Sequence, residues 1–124
     1  MIKVAVNGAA GRMGGRLITA IKETEGLQLT GALEHAESPM LGQDAGLTAG
    51  CGPLNVLISS DLDEVLAGTD VLIDFTFPEV SLRNLEACAR LGKRLVIGST
   101  GFTPEQRSRV DELAKTTPVV LAPN

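Results

Sequence analysis

The chain has 124 residues, which is the usual size of a single domain. Apolar residues make up 44% and charged residues 21%, so the chain is expected to fold rather than remain disordered. A net charge of −4 and an aromatic content of three Phe argue against a nucleic-acid-binding domain, which would be basic and offer stacking platforms.

The cysteine, histidine and N-terminal patterns argue against metal sites and membranes. Cys51, Cys88 and the single His35 are too few for a disulfide framework or a four-ligand zinc site. The N-terminus has no signal-peptide pattern, and every apolar run is far shorter than the roughly 20 residues that span a membrane. We therefore expect a cytoplasmic protein without a metal ion, with Cys88 in the core.

Strand and helix signals alternate along the chain. The expected strands span residues 2–6, 27–33, 56–59, 71–75, 94–97 and 118–121. The expected helices span residues 13–24, 60–67, 78–91 and 103 to about 115. Because the strands are apolar on both faces and alternate with helices, the pattern predicts an α/β fold, a doubly wound parallel sheet of the Rossmann type.

Local signals mark helix starts and one irregular segment. Ser60 is expected to cap the second of these helices, with Asp63 completing a capping box. Thr103 and Gln106 form the same pattern at the start of the last helix. Residues 35–54 are rich in Gly and Pro, and a loop of this length is usually functional or mobile.

A glycine-rich turn between the first strand and the first helix carries the clearest chemical signal. Gly8, Gly11 and Gly14 allow a sharp turn and a close approach to a pyrophosphate, which the free N–H groups of the helix start would bind. The spacing is a variant, because the usual dinucleotide motif would place glycines where Ala10 and Met13 stand. The strand–turn–helix context nevertheless favours dinucleotide binding.

Further candidate residues follow three other strands. Glu34 ends the second strand, 20 residues after Gly14, where a carboxylate can accept hydrogen bonds from an adenosine ribose. The alternative is a charged residue that faces water. Residues 74–79 and 98–101 either bind the ring of a ligand at the strand ends or form ordinary turns. Asp74 is expected to cap the turn that follows it.

Taken together, these motifs resemble the 4-hydroxy-tetrahydrodipicolinate reductase family. The matching segments lie in the family's order at residues 6–14, 32–34, 41–46, 74–78, 96–102 and 122–124. The resemblance implies a nicotinamide-dependent oxidoreductase of lysine and diaminopimelate biosynthesis that uses NADH or NADPH.

The resemblance also implies where the cofactor binds. The glycine turn, with Arg12 and Met13, would hold the pyrophosphate, and Glu34 would bind the adenosine ribose. Residues 98–100 would lie beside the nicotinamide, and residues 122–124 would begin the connection between two domains. The cofactor-binding residues implied in this way are Gly8, Ala9, Ala10, Gly11, Arg12, Met13, Glu34, His35, Phe75, Thr76, Gly98, Ser99, Thr100, Ala122 and Asn124.

Members of the family are longer than this chain. Their second domain carries a His-His-x-x-Lys segment for substrate and proton transfer, which these residues lack. Residues 1–124 are therefore expected to form the dinucleotide-binding domain without the C-terminal substrate and tetramerisation domain. We expect no catalytic residue and no reductase activity in this chain alone. The intact family member is expected to be a homotetramer that binds a small dicarboxylate, no nucleic acid and no membrane.

Two alternatives and the choice of cofactor stay open. The alternatives are a non-catalytic nucleotide-binding regulatory module and another small Rossmann reductase, although the variant glycine turn at residues 8–14 together with residues 74–78 argues against the latter. Glu34 would repel the 2′-phosphate of NADPH, and a protonated His35 would offset part of that repulsion. We expect NADH to be preferred or equal at about pH 8, with NADPH gaining as the pH falls.

Overall fold

The computed structural model describes residues 1–122, and within them six strands form one parallel sheet. The strands are β1 (Ile2–Asn7), β2 (Leu27–Leu33), β3 (Ile58–Ser59), β4 (Val71–Asp74), β5 (Arg94–Ile97) and β6 (Val119–Leu121). Their order across the sheet is β3-β2-β1-β4-β5-β6, and all neighbouring pairs are parallel. This order is that of the doubly wound Rossmann fold, which confirms the predicted fold class.

Five helices connect the strands of the described part. They are α1 (Arg12–Glu23), α2 (Ala45–Ala49), α3 (Leu62–Ala67), α4 (Pro78–Leu91) and α5 (Pro104–Ala114). The bounds of β2, α4 and β5 agree with the prediction, and the other predicted elements agree within two residues. None of the helices within residues 1–122 is long and apolar enough to cross a membrane.

Two local predictions were wrong, and one was confirmed. Asp61, not Ser60, caps α3, because its carboxylate accepts a hydrogen bond from the Glu64 N–H at 3.1 Å. The segment expected to be only a loop contains the short helix α2. At the start of α5, Thr103 and Gln106 form the predicted capping box.

Each face of the sheet packs against its own group of helices. Successive residues of β1 alternate between the faces: Val4 and Val6 pack with α1, and Ala5 packs with α3, α4 and α5. Cys88 of α4 is fully buried, as expected, in the core that Ala5 forms with α3, α4 and α5. Burial, together with the negative charge of Asp74, raises the pKa of the Cys88 thiol to about 12, so this thiol is protonated and inert at neutral pH.

The segment between β2 and β3 folds around a single carboxylate. Asp44 caps α2 by accepting hydrogen bonds from the N–H groups of Gly46 and Leu47, at 2.9 and 3.1 Å. The same carboxylate accepts from Leu54 at 3.0 Å and from Asn55 at 2.7 Å. The Asp44 carboxylate therefore joins the start of α2 to residues 54 and 55, in a segment that has few hydrogen bonds of strand or helix type.

These contacts make the stability of the segment depend on pH. The Leu54 N–H, followed by the other three, holds the pKa of Asp44 below its ordinary value of 3.8, against the opposing effect of partial desolvation. A carboxylate with a lowered native pKa contributes its stabilisation above the ordinary value. That contribution is lost as the pH falls through the lowered value.

Asp44→Asn should loosen this segment at neutral pH. The Asn side chain keeps one acceptor oxygen but turns an NH2 group toward a backbone donor that the carboxylate satisfied. We expect amide hydrogen exchange at residues 46, 47, 54 and 55 to accelerate by about tenfold. Thermal unfolding should separate the variant from the wild type at pH 7, and the difference should shrink as the pH falls below 3.8. Equal exchange rates at pH 7 would contradict this account.

Candidate functional site

A cleft of about 520 Å³ opens at the carboxyl ends of β1 and β4. These two strands are neighbours at the point where the winding of the sheet reverses, which is where open α/β sheets bind their ligands. Asn7 and Gly8 contribute from the end of β1, and Phe75 and Thr76 contribute from the segment after β4.

The wall beside β1 is the glycine turn, and its glycines have different roles. Gly8 has a φ of +89°, which favours glycine. A Cβ atom on Gly14 would lie 2.1 Å from the Gly8 carbonyl oxygen, so α1 can begin this close to β1 only without a side chain there. Gly11 has a φ of −81° and an ordinary 3.4 Å contact to the same oxygen, so its backbone does not require glycine.

The first N–H groups of the turn are engaged inside the protein. Gly8 and Ala9 both donate to the Leu33 carbonyl at 3.0 Å, which joins the turn to the end of β2. Ala10 donates to Oε2 of Glu34 at 2.8 Å. Glu34 is half-buried and lines the cleft, so one carboxylate oxygen holds the turn while the residue faces the space beside it.

In contrast to the N–H groups of the turn, those at the start of α1 receive no side-chain acceptor from the described residues. An α-helix leaves its first N–H groups without acceptors inside the helix. Asp44, Asp61 and Thr103 supply side-chain acceptors to α2, α3 and α5. Helix α4 has no side-chain cap either, but it begins with a proline, which has no N–H, and carries Glu79 in its first turn. At α1 the N-cap is Gly11, no side chain of the described residues caps it, and its first turn holds no acidic residue. The start of α1 therefore offers donors and a positive dipole end to an anion beside the turn.

The opposite wall depends on a close contact between an aromatic ring and a glycine. A Cβ atom on Gly98 would lie 2.1 Å from Cε1 of Phe75, so the ring rests against the backbone of the β5 loop. The Thr76 hydroxyl and N–H both donate to Oδ1 of Asp74, at 2.5 and 2.9 Å. This contact confirms the expectation that Asp74 shapes its own turn.

Buried hydroxyls and amides support this wall from below. Ser99 is 5% exposed, and its Oγ lies 2.7 Å from the Oγ of Ser81, on the first turn of α4. Asn7 donates through Nδ2 to Oδ1 of Asn84 at 3.2 Å, which ties β1 to α4. The hydroxyl of Ser99 therefore links the loop after β5 to α4 inside the protein.

The structure brings only part of the predicted site together. Gly8, Gly11, Glu34, His35, Phe75 and Thr76 line the cleft. Ala10 and Arg12 line a neighbouring groove along α1, Ala9 is buried, and Met13 is half-buried. Gly98 and Ser99 are buried behind Phe75, Thr100 is exposed, and Ala122 lies at the end of β6, two strands from β4. Asn124 lies outside the described residues.

Sequence reasoning missed the part of the cleft formed by α3 and α4. The spacing from Phe77 to Val80 and Arg83 is the signal that was available, because residues three apart share one helix face. Phe77 belongs to the candidate segment 74–79, and the other lining residues, which the sequence did not place in the site, are Asn7, Leu33, Ala36, Ser60, Leu62, Val80, Arg83 and Asn84. Within residues 1–122, no group of three His, Cys, Asp or Glu is placed to hold a metal ion.

The family model described as "Dihydrodipicolinate reductase, N-terminus" matches residues 2–124. The chain belongs to this family. The 4-hydroxy-tetrahydrodipicolinate reductase of Syntrophotalea carbinolica is 90% identical over 124 residues, which are 100% of this chain and 46% of that protein. The chain thus spans about half the length of the curated reductases it matches.

Among solved structures, one similar protein carries the family's name and another, with a different name, shares the fold. The dipicolinate-bound dihydrodipicolinate reductase of Paenisporosarcina sp. TG-14 is similar with a TM-score of 0.79 and 28% identity, covering 100% of this chain and 48% of that one. The amine dehydrogenase of Mycobacterium smegmatis is similar with a TM-score of 0.76 and 29% identity, covering 97% of this chain and 38% of that one.

The close approach of α1 to β1 predicts opposite effects at two adjacent glycines. Gly14→Ala should lower the free energy of unfolding by about 1–3 kcal/mol, because the new methyl group overlaps the Gly8 carbonyl. Gly15→Ala is the matched control: its Cβ would lie 3.7 Å from Ala49, so the substitution should raise stability by about 0.5–1 kcal/mol through helix propensity. Urea unfolding measures both effects, and equal shifts would refute the steric account.

Proposed function

We propose that this chain binds NADH or NADPH along the cleft, as the cofactor-binding part of a 4-hydroxy-tetrahydrodipicolinate reductase. The observation that carries the proposal is the arrangement at the glycine turn. The uncapped start of α1 follows the turn, and the carboxylate of Glu34, at the end of β2, accepts a hydrogen bond from Ala10 of that turn; both lie beside the cleft at the point where the sheet reverses. A dinucleotide needs donors for its pyrophosphate, which the start of α1 supplies, and an acceptor for its ribose, which Glu34 supplies.

The residues at this end would bind and orient the cofactor. The N–H groups at the start of α1 would hold the pyrophosphate, with the guanidinium of Arg12 on the same turn available for a second contact. Glu34 has two carboxylate oxygens, and the Ala10 N–H engages Oε2. Oε1 remains to accept a hydrogen bond from a ribose hydroxyl, so one side chain would couple the shape of the turn to the position of the ribose.

At the other end, Phe75 and Gly98 would shape the nicotinamide side of the cleft. When bound, the cofactor supplies the hydride of the reduction. The hydroxyl of Thr76 donates to Asp74, and that of Ser99 pairs with Ser81, so both are engaged within the fold. We propose that the groups that bind the substrate and deliver a proton belong to further polypeptide of the complete protein.

The relatives support this division. They carry the reductase name and are about twice as long as the match, and one solved relative binds dipicolinate, a dicarboxylate. We therefore propose that the complete protein reduces 4-hydroxy-tetrahydrodipicolinate in lysine and diaminopimelate biosynthesis, as a cytoplasmic homotetramer. The full-length protein should oxidise NADH when it is mixed with freshly generated substrate, and residues 1–124 alone should not. Turnover by residues 1–124 at the full-length rate would contradict this division.

Glu34→Gln should weaken NADH binding to this chain by about tenfold. Glutamine has a single side-chain oxygen, which can serve the Ala10 N–H or the ribose but not both. Glu37→Gln is the control, because Glu37 is exposed in the same segment and does not line the cleft. Calorimetric titration with NADH measures both affinities. Unchanged binding in Glu34→Gln would remove Glu34 from the site.

A further inference from the structure

Arg83 lies on the wall of the cleft that α4 forms. Val80, Arg83 and Asn84 are three and four residues apart, so they share one face of the helix, and this face borders the cleft. Glu34 and His35 line the same cleft from the end of β2. A basic side chain of α4 and an acidic side chain after β2 therefore border one space.

The charge of Arg83 is not used to hold the fold together. Arg90 of α4 pairs with Asp63 at 3.0 Å, and Arg109 of α5 pairs with Glu86 and Glu112 at 3.4 and 3.1 Å. Within residues 1–122, Arg83 forms no salt bridge. Arg83 is exposed, so its guanidinium is available to a ligand in the cleft.

The end of the cleft beside Glu34, where the adenosine of the cofactor would bind, would repel the additional phosphate of NADPH. A phosphate monoester carries about −1.5 to −2 charges near pH 7, and NADPH would bring such a group to the ribose beside Glu34. The basic residues among the side chains that line the cleft are His35 and Arg83. Of these, only a guanidinium stays charged at every physiological pH, and its planar fork can hold a phosphate through two hydrogen bonds.

We infer that Arg83 is a specificity-determining residue that binds the 2′-phosphate of NADPH and offsets its repulsion by Glu34. This inference rests on the proposed function, since it concerns the same cleft. It changes the expectation drawn from Glu34 and His35 alone, because acceptance of NADPH then no longer depends on protonation of His35. The chain accordingly accepts NADPH as well as NADH at pH 8.

The test compares Arg83→Gln with a matched control on the same helix. Arg90→Gln removes an equal charge from α4, but Arg90 is held by Asp63 and does not line the cleft. We titrate each form of the chain at pH 8 with NADH and NADPH, and with ADP and 2′,5′-ADP as probes of the adenosine end. In Arg83→Gln the dissociation constants of NADPH and 2′,5′-ADP should rise about fivefold or more, and those of NADH and ADP should stay within about twofold. Arg90→Gln should change none of the four.

Each other outcome overturns the assignment. An equal loss for NADH and NADPH would place Arg83 against the shared adenosine, and no loss would make it a solvated surface residue. A wild-type chain that binds NADH but not NADPH would refute the inference and leave the proposed function standing. A chain that binds neither cofactor would refute both. Circular dichroism of Arg83→Gln should match that of the wild type, because the side chain is exposed.

Discussion

The geometry of the cleft depends on the absence of a side chain at Gly14. The Gly8 carbonyl occupies the space that a Cβ atom on Gly14 would need, so α1 starts directly against the end of β1. This contact brings the free N–H groups of α1 to the edge of the sheet where β1 and β4 end. It also leaves the turn short enough for Ala10 to reach the carboxylate of Glu34 at the end of β2. The order of the strands determines where the cleft lies, and the contact at Gly14 determines which N–H groups and which carboxylate lie beside it.

The charges around the cleft divide it into regions with different tasks. The start of α1 is a positive end that no side chain of the described residues caps, which suits a pyrophosphate. In the proposed function, Glu34 would accept hydrogen bonds from ribose hydroxyls, and Arg83, which lines the same cleft, would bind a phosphate on that ribose. Beyond the turn, Phe75 and Gly98 form an apolar contact that is supported by buried serine hydroxyls. In the proposed function, one cleft would thus hold the chemically different parts of one elongated ligand.

Sequence signals that span only a few residues predicted the bounds of most helices and strands. Pro78 at its first position and Gly92 beyond its end were sufficient to define α4, and Thr103 with Gln106 marked the start of α5. Long-range contacts could not be predicted in the same way. The short helix α2 depends on Asp44 binding N–H groups of residues 54 and 55, ten and eleven positions along the chain.

The candidate site shows the same limit. The glycine turn and Glu34 carry motif spacing, so sequence patterns located them. The cleft face of α4 carries only a three-residue spacing, and this spacing does not show what the face borders until the sheet positions α4 beside β1. The engagement of Ser99 with Ser81 is also a tertiary contact, which no local pattern around residues 98–101 reveals.

The most direct test of the central claim is an NMR titration of the 15N-labelled chain with NADH. The account predicts the largest amide shift changes at residues 8–14, at Glu34 and His35, and at residues 75–84, with the sheet edge at β6 unaffected. Changes confined to other surfaces, or none at saturating NADH, would contradict the claim that the glycine turn and Glu34 form a dinucleotide site.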